Sequence, residues 1–92
     1  MRYNGFTNYD TWNIDLWFSN DYSLYVALCN YVRRCDAQNK QPTYLDLCKW
    51  LGIGPTDETP DGIRYLADSI NTKELDIVLF DGIGCESWRT YA

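Results

Sequence analysis

Asp57, Glu58 and Asp61 fall within five residues and form the one grouping in this 92-residue chain with the makings of a catalytic or cation-binding centre. Hard oxygen donors suit Mg²⁺ or Ca²⁺, but the spacing of an EF-hand loop is missing, and acids at a helix start are already satisfied by water and the helix dipole. Histidine, the usual general base, does not occur in the chain, which removes the covalent triads. No nucleophile elbow, Walker loop, zinc-protease motif or complete dinucleotide fingerprint is present; Gly52 and Gly54 begin a glycine pattern that Pro55 ends. The expectation is a protein that is not an enzyme and takes no cofactor or metal. A carboxylate metal-dependent enzyme is the disfavoured alternative.

Cys29, Cys35, Cys48 and Cys85 are separated by 5, 12 and 36 residues. Zinc sites draw their cysteines in close pairs, so this spacing argues against zinc. Cys29, Cys35 and Cys48 fall on apolar stripes and read as small buried hydrophobes of a reducing compartment, with a disulfide left open for an exported protein. Cys35 adjoins Arg33 and Arg34, but a thiol at a helix C-terminus has its pKa raised by the dipole, which works against nucleophilicity.

Formal charge is −5, and its distribution is uneven. Residues 1–56 carry five acids and five bases; residues 57–92 carry eight acids against Arg64, Lys73 and Arg89. Direct nucleic-acid binding is disfavoured, because phosphates require a basic stripe and Arg33–Arg34 is the only adjacent pair. A basic protein surface fits better, although an acidic excess also serves solubility. No apolar run approaches the roughly 18 residues of a membrane span, and the opening residues lack an apolar signal core, so the expected location is the cytoplasm.

The elements that must position these groups read as short helices. Asn8 or Thr7, the latter in a Thr7–Asp10 capping box, starts a helix over residues 8–19, with Tyr9, Trp12, Asn13 and Leu16 on one face and Asp10 and Trp17 on another. Trp12 is thereby assigned to the core and Trp17 to a partner surface. A second helix aligns Leu24, Leu28, Tyr31, Val32 and Cys35. Thr43 caps a third, carrying Tyr44, Leu47, Cys48 and Leu51 and closed by Gly52. After the loop GIGPTDETP, Thr59 and Pro60 open a fourth with Ile63, Leu66, Ala67 and Ile70 inward. Asn71 or Thr72 caps a fifth through Leu75, Val78 and Leu79 to Gly82, where DIVLF offers a rival strand. The fold class is all-α, four or five short helices in one compact domain over residues 1–92; α+β with a small sheet from the termini is the alternative.

The stretch NGFTNYDTWNIDLWFSND resembles the opening of a group of short phage, plasmid and bacterial proteins that share N-Y-[D/E]-T-W-x-x-x-L-W followed by an acidic or amide pair. Asn8, Tyr9, Asp10, Thr11, Trp12, Leu16, Trp17, Asn20 and Asp21 match it. The resemblance covers about 20 residues and implies a mobile-element origin, with no assigned activity to inherit. Some such proteins block restriction or CRISPR machinery. The expected function is accordingly an acidic phage-type inhibitor that covers a basic, nucleic-acid-handling surface of a host protein or protein–RNA defence complex. Asp57, Glu58, Asp61, Asp68, Asp76 and Asp81 would meet its cations, with Trp17, Tyr22 and Tyr25 as aromatic anchors. A structural or regulatory homo-oligomer is the alternative from another class.

Overall fold

A computed structural model describes residues 3–80 and contains four helices, α1 (Tyr9–Asn20), α2 (Tyr22–Ala37), α3 (Tyr44–Leu51) and α4 (Thr72–Phe80). No strand occurs among the described residues; two isolated antiparallel bridges, Tyr3 with Phe6 and Glu58 with Arg64, are the only β pairings there. The fold is all-α. DIVLF is helical, because Asn71 accepts from the Glu74 N–H and starts α4 with its own side chain. Asp81, Gly82, Cys85 and Trp88 lie outside the described residues.

Local chemistry sets each boundary. Asn8, rather than the Thr7–Asp10 box, caps α1 by accepting from the Thr11 N–H. Asp21 serves two helices at once: its N–H donates to Trp17 O at the end of α1, and its carboxylate accepts from the Leu24 N–H at the start of α2. One residue therefore makes the corner. Asn39, at φ 53°, ends α2 and lets the Lys40 N–H donate back to Cys35 O. Thr43 caps α3, and Gly52 closes it in the left-handed region at φ 76°.

α1 packs on α2 and α4, and α3 packs on α4 and α2. Ile14 and Phe18 of α1, Leu28 and Tyr31 of α2, Leu47 of α3 and Leu75 of α4 are all essentially inaccessible. Phe18 meets the rings of Tyr44 and Tyr65 edge-on, at 6.4 and 6.1 Å. Tyr44 ties three parts of the chain together. Its N–H donates to Asp76 Oδ1 at 2.6 Å, and its buried hydroxyl donates to Tyr65 O at 2.7 Å. Burial pushes the Tyr44 phenol far above the ordinary range, so it stays a neutral donor. Cys35 and Cys48 are buried, and Cys48 is pushed up to about 11, which makes it a protonated core side chain.

Residues 59–71 depart from the expected fourth helix. Thr59 does not cap anything. Its N–H and Oγ1 close a tight turn with the carbonyl and N–H of Ile63, the Gly62 N–H donates to Thr59 O, and Gly62 sits at φ 85°, which a helix interior forbids. Tyr65 N–H then donates to Asp57 O, and single turns carry the chain through Ala67 to Ile70. Ile63, Leu66, Ala67 and Ile70 still reach the core. They do so as an irregular segment tied to α1 through Asn13 and Phe18 and to α3 through Tyr44, rather than as a helix stripe.

Phe18→Ala should lower the unfolding free energy by about 3–5 kcal/mol, the cost of an aromatic-sized cavity. Ile77→Ala, at a position 63% exposed, should change it by less than about 0.5 kcal/mol. Urea unfolding of both variants measures the contrast.

Candidate functional site

The core-facing side of α1 is Thr11, Asn13, Ile14 and Phe18, all buried. Two of these four are polar, and their partners lie far along the chain. Thr11 Oγ1 accepts from the Asn71 N–H at 2.9 Å. Asn13 Oδ1 accepts from the Thr59 hydroxyl at 2.7 Å, and Asn13 Nδ2 donates to Asp61 Oδ2 at 2.7 Å. The Trp17 indole N–H donates to the same oxygen at 2.9 Å. Toward the start of the helix, Asn8 Nδ2 donates to Ser69 O, and the Ser69 hydroxyl donates to Asp10. Thr7 N–H donates to Glu74 Oε1, and Asn71 Nδ2 donates to Thr7 Oγ1. The motif NYDTW with Asn13 and Trp17 is thus one polar edge that holds the 59–74 segment in place.

Using those polar groups inward leaves the rings outward. Asn4 and Gly5, at φ 48° and 89°, form a two-residue turn with reciprocal bonds between Tyr3 and Phe6. That turn brings Tyr3 onto α1, where its ring lies 5.2 Å from Tyr9 and 4.9 Å from Trp12, with Tyr9 and Trp12 5.5 Å apart. Tyr3 and Tyr9 are each 40% exposed. Trp12, expected in the core, is half-buried in this surface cluster, because its position on α1 is turned away from the Thr11–Ile14–Phe18 stripe. The Asn13 amide lies 3.4 Å from the Tyr9 hydroxyl and also holds Asp61, so the aromatic cluster borders an exposed carboxylate. Donation from Asn13, then from Trp17, holds Asp61 below the usual carboxylate range. Its Oδ1 makes no hydrogen bond among the described residues. A fixed, ionised carboxylate that shares the Asn13 amide with the Tyr9 hydroxyl has the chemistry to receive a guanidinium or ammonium group.

The other residues expected to bind a partner are dispersed. Trp17 is half-buried and committed to Asp61, while Tyr22 is 80% exposed and Tyr25 half-buried on α2. Asp57 is exposed and accepts from the Gly54 N–H; Glu58 and Asp68 are exposed. Asp76 caps α3 through Tyr44 N, which makes it a structural acid. Asp81 lies outside the described residues. Asp57 and Asp61 thus turn to separate partners, and no group of three His, Cys, Asp or Glu side chains among the described residues could hold a metal ion. Tyr3 and Tyr9 were not among the expected anchors. The signal missed was Asn4-Gly5, a dipeptide suited to a two-residue turn, which would have folded Tyr3 back toward α1.

No helix among the described residues is long and apolar enough to cross a membrane. The molecule is a small helical protein whose surface joins aromatic rings to a fixed carboxylate. It belongs to a protein family of unknown function, DUF7249, whose model matches residues 1–82. No curated protein and no solved structure matches the chain.

The two perturbed acids of α1 and its clasp have linkage of opposite sign. Asp61, lowered in the folded state, contributes stability above its unfolded pKa that is lost as pH falls through the folded value. Asp15, raised by burial, costs stability as pH rises from the unfolded value through the folded one. Asp61→Asn should therefore destabilise at pH 7 and converge on the parent only at a pH below the lowered folded value of Asp61, which itself lies under the ordinary 3.8, whereas Asp15→Asn should match or exceed the parent at pH 7 and lose that advantage in acid. Urea midpoints over a pH series check both.

Proposed function

We propose that this chain is a non-enzymatic binding protein that docks its Tyr3–Tyr9–Trp12 face, with Asp61 at the border, on a basic surface of a partner protein. The observation that carries the reading is the exposed Asp61 carboxylate, pinned and kept ionised by Asn13 and Trp17 beside two 40% exposed tyrosines. A partner arginine would bond the open oxygen of Asp61 and lay its guanidinium on Tyr9 or Trp12, a pairing in which charge supplies direction and the rings supply contact area. Asp57, Glu58 and Asp68 add negative potential that steers a cationic partner during encounter.

The finer reading is a mobile-element protein that covers the phosphate-holding lysines and arginines of a host restriction or CRISPR complex. Its support is the resemblance of the N-Y-D-T-W-x-x-x-L-W stretch to the opening of short phage and plasmid proteins, together with the acidic excess of residues 57–92. Blocking would be steric, since eight acids over 36 residues are a sparse imitation of DNA, with its one charge per about 1.7 Å.

The test is capture of partners from lysate of the natural host with tagged parent, Tyr9→Ala/Trp12→Ala and Asp57→Lys/Glu58→Lys, eluted in steps from about 0.05 to 1 M salt. The expected result is a nucleic-acid-handling protein held by the parent, released at intermediate salt and lost by both variants while their thermal midpoints stay near the parent's. Equal retention by both variants would refute the reading. Recovery of the chain alone, with mass rising with concentration, would replace it by self-association through the aromatic face.

A further inference from the structure

The chain is acidic overall, yet half of its eight basic residues, Arg33, Arg34, Lys40 and Lys49, fall between positions 33 and 49. Three of them, Arg34, Lys40 and Lys49, line one cleft of about 180 Å³ between the end of α2 and α3, together with Gln38, Asp46 and Trp50. Lys40 is paired with Asp46 at 2.8 Å, and the Tyr31 hydroxyl donates to that same carboxylate oxygen at 2.8 Å. The acid of the cleft is thus already neutralised from inside. Arg34 and Lys49 have no hydrogen-bond or ion-pair partner among the described residues, which leaves the cleft with a local excess of positive charge in a molecule of charge −5. Tyr31 is pushed up by burial and stays neutral, so it adds no opposing charge. The α2 terminus does not compete either, because Arg34 O and Cys35 O accept from the Gln38 and Lys40 N–H groups.

Trp50 supplies a second recognition surface. Trp50 is 43% exposed, and its ring is held at one edge of the cleft by the Tyr31 ring, 5.8 Å away and tilted at 51°. The cleft, open to solvent, is smaller than the roughly 300–1,000 Å³ of ordinary ligand pockets. It suits one phosphate group rather than a folded peptide segment, with the rest of the ligand outside against the indole. The geometry points to a nucleotide-phosphate site: the phosphate bonds Arg34 and Lys49, with Gln38 in reach, and the base stacks on Trp50. The phosphate belongs to a free nucleoside monophosphate or to the 5′ end of a short single strand. The site shares no residue with the Tyr3–Tyr9–Trp12–Asp61 face, so either assignment stands or falls without the other.

A heteronuclear NMR titration of the full chain tests this, using AMP, inorganic phosphate, adenosine and a 5′-phosphorylated dinucleotide as separate probes. AMP is expected to move the Trp50 indole N–H and the backbone signals of residues 34–50, at least about tenfold more tightly than phosphate or adenosine alone, since both halves of the site are then engaged. Arg34→Glu/Lys49→Glu should abolish the response and Trp50→Ala should reduce AMP to the level of phosphate, each with a thermal midpoint near the parent's. A dinucleotide that binds more tightly than AMP assigns the site to strand ends; equal or weaker binding assigns it to free nucleotides. No shift with 10 mM AMP, shifts elsewhere on the molecule, phosphate binding as tightly as AMP, or an undiminished response in the charge-reversed variant would each overturn the proposal.

Discussion

Asn13 is fully buried in the middle of α1, and a buried amide without partners would cost the helix its place in the core. Its oxygen takes the Thr59 hydroxyl and its nitrogen gives to Asp61, 46 and 48 residues away. That requirement fixes where the 59–63 turn must lie. Thr11, equally buried, does the same for Asn71 and so for the start of α4. Two polar residues on the inner side of one helix thus decide the path of a segment that has no regular structure of its own, and the apolar residues Ile63, Leu66 and Ile70 follow it into the core.

The same arrangement accounts for the surface. Polar groups at positions 8, 10, 11, 13 and 17 are turned toward the 59–74 segment, so Tyr9 and Trp12 are left on the outer side of α1, where the Tyr3–Phe6 turn adds a third ring. Asp61 stands at the seam between the two groups. It is part of the clasp through one oxygen and available to solvent through its exposed carboxylate. Fold and candidate site are therefore one construction: loosening the clasp releases the carboxylate that the aromatic face borders.

Much of the fold was legible. The α2 stripe, the Thr43 cap and the Gly52 stop each rest on local chemistry, and local chemistry decided them. The Thr59-Pro60-Asp61 signal misled, because the cap hydroxyl had a better partner in Asn13 and because Gly62 takes a positive φ; neither fact is local to the pattern. On α1 the apolar residues are spread around the helix, so periodicity could not choose between the Trp12–Leu16 side and the Ile14–Phe18 side. Tertiary hydrogen bonds to Thr11 and Asn13 made the choice. The aromatic site was half legible: the motif residues were visible as a group, but which were clasp and which were surface depended on contacts more than 40 residues away.

The most direct measurement is a double-mutant cycle in urea unfolding on Asn13→Ala and Thr59→Ala. If the Asn13–Thr59 bond is part of the clasp that organises the 59–74 segment, each single change should cost about 1–3 kcal/mol and the pair should be coupled by about 1 kcal/mol or more. Costs that add to within about 0.3 kcal/mol would contradict the account. They would mean that the segment is held by its apolar contacts and that the polar edge of α1 merely accompanies it.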